Sequence, residues 1–291
     1  MTIAVYGKAI DAEFAEATKN LFAALEKYKV KVTIYLPLLD YISINLSFTP
    51  YYQDTFRNPS ELKGTDVLIS LGGDGTFLDS ISLVQDMEIP IMGINFGRLG
   101  FLASTSIPEI DNSIDLLMAS KYKIEQRSML QLISPDNLFN PFPYALNDFV
   151  VRNSVSSLLH VNTFINNEYL TTYWSDGLIV STPTGSTAYS LSVGGPILTP
   201  SLNAFLLSAI APHHLTVRPL VIPDDNDIDI EVSGREGSVI VSLDSRNLEL
   251  PIPVKLSLRK APFKANVICL DGTSFYRTIR SKLLWGMDKR N

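Results

Sequence analysis

The chain is poor in the residues from which redox and metal sites are built. It has one cysteine and three histidines in 291 residues. A single cysteine, Cys269, excludes an intramolecular disulfide and any multi-cysteine metal site. It lies in the apolar run 267–270 and reads as a small buried hydrophobe rather than a nucleophile. His213 and His214 are adjacent, so on extended backbone they point to opposite faces and chelate poorly. His160 sits in a strand pattern and reads as structural, and no set of residues has zinc-ligand spacing, so no metal-ligating residue is expected.

Long runs are also missing. The longest apolar stretch, near residues 204–212, is too short to cross a bilayer. There is no run of Lys or Arg, and 24 basic against 30 acidic residues leave a net charge of −6. That balance argues against nucleic acid or an anionic membrane as the main partner. A phosphate ligand would have to be met by backbone N–H groups, metal ions and a few local cations. The opening residues MTIAVYGKAIDAEF lack a basic head followed by an apolar stretch, and a cytoplasmic address is expected.

What is present is a globular composition, 46 % apolar and 19 % charged, long enough for two domains. The first third alternates strand and helix patterns. Residues 2–6 read as a buried strand ending at Gly7. Residues 11–29 have helical spacing, with Phe14, Leu21, Leu25 and Tyr28 on one face. Val30, Val32, Ile34 and Leu36 alternate as a second strand, and residues 37–60 show no clear period. Short apolar runs at 67–71 and 89–94 each end in glycine-containing turns, and Ile110, Ile114, Leu117 and Met118 mark a further helix. This alternation implies a parallel sheet covered on both faces.

Beyond residue 120 the pattern becomes short alternating runs, such as Ile228, Ile230 and Val232, or Val239, Val241 and Leu243. Asn166-Asn167 has the composition of a hairpin turn. One or two helices at most are expected near 186–210. The tail returns to helical spacing at Phe275, Ile279 and Leu283. The expected division is an α/β domain over 1–120, a β-rich domain over 121–268, and a tail, 269–291, packing back on the first.

Three segments carry chemistry. The first is GGDGTFL at residues 72–78, placed between a strand and a helical pattern. In a parallel sheet ligands sit at such carboxyl ends. Gly72, Gly73 and Gly75 let the backbone turn sharply and approach a phosphate chain, Thr76 adds a hydroxyl, and peptide N–H groups at the helix start bind the anion. Asp74 would meet phosphates with like charge, which is tolerable only if it binds Mg²⁺ or a hydroxyl group or takes a proton. The segment lacks the lysine of a Walker A loop and the spacing of a dinucleotide fingerprint. The second is SDGLIVSTPTGSTAYSLSVGGPI at 175–197. Asp176 precedes a short strand, and Thr184, Gly185, Ser186 and Thr187 then offer donors and close backbone approach. Ala188 is small enough for a flat ring to lie against it, and Tyr189 adds an aromatic face. The third is Asn147-Asp148 at the start of an apolar strand. An amide reads an adenine edge and a carboxylate accepts from ribose hydroxyls, although such a pair alone is most often a turn. Arg98, in NFGRLGFL, reads as a solvated arginine more than a phosphate ligand.

Together these segments resemble the NAD kinase family. GGDGTFL is similar to its Gly-Gly-Asp-Gly signature, NFGRLGFLAS to its Gly-x-Leu-Gly-Phe-Leu segment, and ALNDFVV to its Asn-Glu motif. The long 175–197 stretch and APHHLTVRP at 211–219 also resemble family segments, in the family's order. The resemblance implies an N-terminal α/β domain, a C-terminal β domain and a returning tail. It implies phosphorylation of the adenosine ribose 2′-hydroxyl of NAD by ATP with Mg²⁺. Asp74 would be the acid/base, Gly75 would lie against NAD, and Gly72, Gly73, Thr76, Thr184 and Gly185 would serve the phosphates. Asn147 and Asp148 would hold the adenosine, and Asp176 would meet the nicotinamide end. Thr187, Ala188, Tyr189, Ser190 and Ser192 would wrap adenine and ribose, with Ala211 and Arg246 as lesser contacts. A homodimer or homotetramer is implied. Asp148 stands where the family usually has Glu, and Arg246 where Gln is common. Two alternatives stay open at this point: a diacylglycerol- or sphingosine-type lipid kinase sharing the first motif, and a non-catalytic NAD(P) sensor.

Overall fold

A computed structural model describes residues 1–97, 100–154, 158–234 and 237–286. Contacts divide the chain into two units. The first comprises residues 1–125 and the segment from Asn266 onward, and the second spans Gln126–Ala265.

The first unit contains β1 (Thr2–Gly7), α1 (Ala15–Lys27), β2 (Lys31–Tyr35), α2 (Leu36–Tyr41), β3 (Asp54–Phe56) and β4 (Val67–Leu71). It continues with α3 (Asp74–Val84), β5 (Ile91–Asn95), β6 (Thr105–Ser106), α4 (Ile110–Met118) and β7 (Tyr122–Arg127). The second unit contains β8 (Leu130–Ser134), β9 (Tyr144–Ala145), β10 (Asp148–Asn153), β11 (Leu159–Ile165), β12 (Glu168–Ser175), β13 (Gly177–Ser181) and the short α5 (Tyr189–Ser192). Its remaining strands are β14 (Ala204–Ile210), β15 (Leu220–Pro223), β16 (Ile228–Ser233), β17 (Ser238–Leu243), β18 (Arg246–Pro251) and β19 (Val254–Lys260). The chain then returns to the first unit with β20 (Ala265–Leu270) and α6 (Phe275–Leu283).

The first sheet has the order β3-β2-β1-β4-β5-β20-β7, with β6 beside β5. β1 pairs in parallel with both β2 and β4, and β4 with β5. These strands are apolar on both faces, as helices covering both faces require. Helix α1 buries the stripe Leu21, Phe22 and Leu25, and α4 buries Ile110, Ile114 and Leu117. The chain leaves β1 in one direction to form β2 and β3, then crosses to its other side for β4. That reversal makes a switch point where Gly7 pairs with Leu71, the place where open α/β sheets bind ligands. The glycine-rich segment starts at the next residue.

The second unit is a pair of six-stranded antiparallel sheets, ordered β15-β14-β13-β10-β17-β18 and β12-β11-β16-β19-β8-β9. Alternate residues of both, including Phe149, Val151, Leu178, Phe205, Ile230, Val241 and Leu258, form one buried cluster, so the sheets pack face to face. Asn166 and Asn167 turn the β11–β12 hairpin with both φ angles positive, at 49° and 67°, as a type I′ turn demands.

Three expectations need correction. Residues 37–60 are not featureless: α2 opens on Pro37 in its first turn, and Leu38, Ile42 and Leu46 then bury one side at a spacing of four. The helix expected toward residue 210 stops at Ser192. Residues 204–210 form a central strand, buried almost throughout, and a short apolar run of that kind carries no period to mark it as strand or helix. Cys269 is half-buried rather than buried, with its thiol 3.3 Å from Glu125 Oε2.

Two glycines serve packing alone. A Cβ on Gly177 would lie 2.3 Å from the Val151 carbonyl oxygen, and one on Gly93 would lie 2.6 Å from Ala103 Cα. Both obstacles are backbone and do not yield. Gly177→Ala and Gly93→Ala should each cost about 1–3 kcal/mol, the range for overpacking a close-packed interior. A denaturant-unfolding midpoint that drops for both variants checks this, and an unchanged midpoint would refute the packing argument.

Candidate active site

The switch-point loop is shaped first by steric need. Gly72 has φ +145°, and a Cβ there would meet Thr76 Oγ1 at 2.4 Å, so only glycine fits. Its N–H donates to the Ile94 carbonyl at 3.0 Å, which ties the loop to β5. Gly73 and Gly75 differ. Both are exposed, and a Cβ on either would meet nothing within 4 Å. Gly75 even lies in the first turn of α3, where glycine costs about 1 kcal/mol relative to alanine. The fold gives no reason for these two glycines, whereas a ligand pressed against the bare backbone would. The first N–H groups of α3 have no intrahelical partner and suit an anion.

Asp74 is the first residue of α3. Its Oδ2 accepts from Phe101 N–H at 2.8 Å, and its Oδ1 accepts from Leu102 and Ala103 N–H at 3.0 and 3.1 Å. Gly100 must be glycine, since a Cβ there would lie 1.8 Å from Oδ1. Lys282 Nζ, on α6, stands 3.8 Å from Oδ2. A carboxylate has about four acceptor positions. Three are filled by amides, and Oδ2 keeps one. The side chain remains 31 % exposed. Asp74 therefore anchors the following loop and retains capacity for one more hydrogen bond. Only the second role was expected, and Arg98 of that loop lies outside the described residues.

In the second unit, Asp244 repeats the arrangement. Its carboxylate accepts from Leu146, Asn147 and Asp148 N–H at 2.9, 2.7 and 3.3 Å. On the other side of the same peptide chain, Thr182 N–H donates to Asn147 O at 2.9 Å, and Thr182 Oγ1 to Leu146 O at 2.6 Å. The Asn147 backbone is thus held from both sides. Its half-buried side-chain amide makes no hydrogen bond among the described residues and stays available to a ligand.

Asp148 is buried and receives the Tyr189 N–H. Burial, with the Asp244 charge second, pushes its carboxyl up to about 7. Burial also raises Asp244, against the pull of three amides and Arg246. With one amide against three, the Asp148 carboxylate is the less stabilised of the two.

The hydroxyl-rich run divides by direction. Thr184 accepts from buried Arg127 at 3.4 Å, and Ser186 donates to Pro183 O and accepts from Leu198 N–H at 2.7 and 2.9 Å. Gly185 is glycine because a Cβ would lie 2.0 Å from Asn147 O. Ser190 is buried against Ser208 Oγ at 2.9 Å. These groups satisfy a tight 3₁₀ turn and its packing, so the expected phosphate roles of Thr184 and Gly185 and the ligand contact of Ser190 find no outward-facing group. Thr187 and Ala188 are half-buried at the surface, Tyr189 is 38 % exposed, and Ser192 is exposed.

Asp176 and Ala211 lie at the opposite end of β13 from Asn147, and Arg246 lies beside Asp244. Asp176 is half-buried at the β12–β13 junction, 3.5 Å from Asn153 Nδ2. Ala211 is exposed and left-handed at φ 45°, a conformation costly for alanine. The Arg246 guanidinium donates to the carbonyls of Phe142 and Tyr144 and lies over the rings of Phe139 and Phe142, so it serves the loop beneath it. Sequence reasoning missed Gly100, the 101–103 amides, the anchoring role of Asp244, and Lys282. Only the glycines flanking Arg98-Leu99 hinted at the first two.

Comparison with known proteins agrees with the geometry. The ATP-NAD kinase N-terminal domain family matches residues 5–122, and the ATP-NAD kinase C-terminal domain family matches 146–270. The chain is 40 % identical to an NAD kinase of Cytophaga hutchinsonii and 43 % identical to one of Flavobacterium psychrophilum, covering 100 % of both partners in each case. It superimposes on the crystal structure of yeast NADH kinase complexed with NADH with TM-score 0.87 at 26 % identity, over 99 % of this chain and 89 % of that one. An NAD kinase from Archaeoglobus fulgidus in complex with ATP shares the fold, with TM-score 0.76 at 24 % identity over 98 % and 99 % of the two chains.

The carboxyl pair generates a pH prediction. Asp148 rises from an ordinary 3.8 to about 7 in the folded chain, so between those values the folded state keeps a proton that the unfolded state has released. Stability is therefore lost as pH climbs from about 4 to about 7 and levels off above. Asp148→Asn, which mimics the protonated form, should lack this slope. Melting temperatures of both proteins across pH 4–8 check it, and parallel curves would rule it out.

Proposed function

The chain belongs to the NAD kinase family, and on that premise we propose that Asp74 is the acid/base that takes the proton of the adenosine ribose 2′-hydroxyl of NAD as that oxygen accepts the terminal phosphoryl group of ATP. The full-length likeness to NAD kinases sets aside the lipid-kinase and sensor alternatives. The observation that carries the residue-level reading is the loop itself: a carboxylate with one acceptor position left, between two glycines that no internal packing requires.

Phosphoryl transfer asks a protein for alignment and charge neutralisation. The 2′-hydroxyl donates to the remaining position on Asp74 Oδ2, which fixes its oxygen for in-line attack and receives its proton. Exposed backbone at Gly73 and Gly75 and the first N–H groups of α3 lie against the phosphate chain. The unengaged Asn147 amide reads the adenine edge. Thr187, Ala188, Tyr189 and Ser192 provide the outward surface of the dinucleotide site, and the NADH of the yeast relative supports this pairing of fold and ligand. The Asp148 carboxyl, held in place by Tyr189 N–H, shapes the turn more than it meets solvent.

The donor set suits a metal brought in by the nucleotide. Among the described residues no three His, Cys, Asp or Glu side chains form a metal cage, and Asp74 is the one carboxylate at the loop. Mg²⁺ bound chiefly by phosphates would supply charge neutralisation on the transferring group. No described helix is long and apolar enough to cross a membrane. We further propose a cytoplasmic homodimer or homotetramer, supported by the exposed apolar group Trp174, Leu215, Leu220 and Val221.

Two experiments bear on the reading. Asp74→Asn should lower kcat about 10²–10⁴-fold, the usual worth of a general base, with NAD still bound in calorimetry. NADP formation followed through an NADP-dependent dehydrogenase gives the rate, and parental turnover would remove Asp74 from the chemistry. Gly73→Ala and Gly75→Ala should leave the unfolding midpoint level or higher while cutting NADP formation at least about tenfold, because a methyl group occupies space only a ligand needs. Equal activity in both variants would show that no ligand lies there.

A further inference from the structure

The C-terminal helix brings a charge to this loop that neither the motifs nor the family likeness accounts for. Lys282, in the last turn of α6, holds its ammonium 3.8 Å from Asp74 Oδ2 and 4.6 Å from the centre of the Phe101 ring. Some lysines elsewhere in the chain approach a carboxylate to hydrogen-bond distance, Lys8 to Asp79 at 2.6 Å and Lys260 to Asp224 at 2.8 Å, while Lys27 keeps 3.6 Å from Asp115. Lys282 stops an ångström short. It is attracted to Asp74 and cradled by the ring face, yet none of its three N–H donors makes a hydrogen bond among the described residues. Its side chain is 32 % exposed, so the donors reach solvent at the loop. Asp74 has no need of it as an anchor, being held by three amides already. An anion lying on the open glycines would find a cation in Lys282.

We propose that Lys282 binds the terminal phosphate of the nucleoside triphosphate donor and offsets the charge that develops on it during transfer. The inference rests on the kinase reading above. In that step the bond from the γ-phosphorus to the β–γ bridging oxygen breaks, and its electron pair leaves with ADP. The bond from the γ-phosphorus to ribose O2′ forms, and the 2′ proton goes to Asp74. Lys282 exchanges nothing; it donates to equatorial phosphoryl oxygens, with Phe101 fixing its direction.

The test is steady-state kinetics with ATP and NAD varied in turn. Lys282→Met should lower kcat/KM for ATP on the order of 10²-fold, the loss typical of one charge-stabilising donor, and leave KM for NAD within about twofold. Lys282→Arg should recover most of the loss. Lys282→Gln serves if the methionine variant does not fold and should give the same ATP-sided split. A role confined to tethering α6 would instead lower the melting temperature and leave the ATP-to-NAD split untouched. That result, or a neutral variant equal to the parent, overturns the proposal. A parent chain that forms no NADP would overturn the kinase reading and this inference with it, whereas an active parent with an unaffected variant overturns this inference alone.

Discussion

Each unit depends on the same interaction: an aspartate that gathers three consecutive backbone N–H groups onto its carboxylate. Asp74 does so with residues 101–103, and Asp244 with residues 146–148. Three successive N–H groups can converge on one point only if the peptide departs from helix and strand, and such a segment cannot satisfy its own donors. The charge makes the arrangement stable, each charge-assisted bond contributing about 1.5–3 kcal/mol where water is excluded. In return the irregular segment takes one conformation. In the first unit that segment follows β5, beside the switch point. In the second it delivers Asn147 to the head of β10.

Two glycines follow from these anchors. Gly100 is needed because Asp74 Oδ1 occupies the volume of its missing side chain, and Gly185 because the Asn147 carbonyl does. The hydroxyls of Thr182, Thr184 and Ser186 belong to the same scaffold, since a 3₁₀ turn leaves groups that short polar side chains must meet. Gly73 and Gly75 stand outside this account: no described residue packs where their side chains would lie, which is the basis for proposing them as a ligand surface.

The strands of both units were legible because burial on one or two faces marks the sequence: Ile228, Ile230 and Val232 alternate, and residues 67–71, all buried, are apolar but for Ser70. Residues 204–210 were not, since a strand in the middle of a sandwich shows no alternation. GGDG was legible as a strand-to-helix turn, and it does join β4 to α3. The direction of each hydroxyl between 184 and 192 was not legible. Ser190 and Ser192 are chemically alike, yet one faces Ser208 and the other solvent, a difference set by packing against β14. Asp244 and Lys282 left no signal in the sequence, because their partners, residues 146–148 and Asp74, lie far away along the chain.

The double duty of Asp74 also explains why an aspartate, rather than a longer acid, suits that position. Its short side chain places the carboxylate close to the start of α3, within reach of the 101–103 amides and still beside the glycines that admit a phosphate chain. A glutamate would carry the charge one carbon further, into the space that Gly100 keeps clear for the present carboxylate. Three fixed donors hold the two oxygens in one orientation before any substrate arrives, so the remaining acceptor position is aimed in advance. Preorganisation of this kind removes the entropy of finding the reactive geometry from the barrier itself. On the proposed mechanism the anchor is part of the chemistry: whatever loosens the 101–103 loop also unfixes the group proposed to receive the proton.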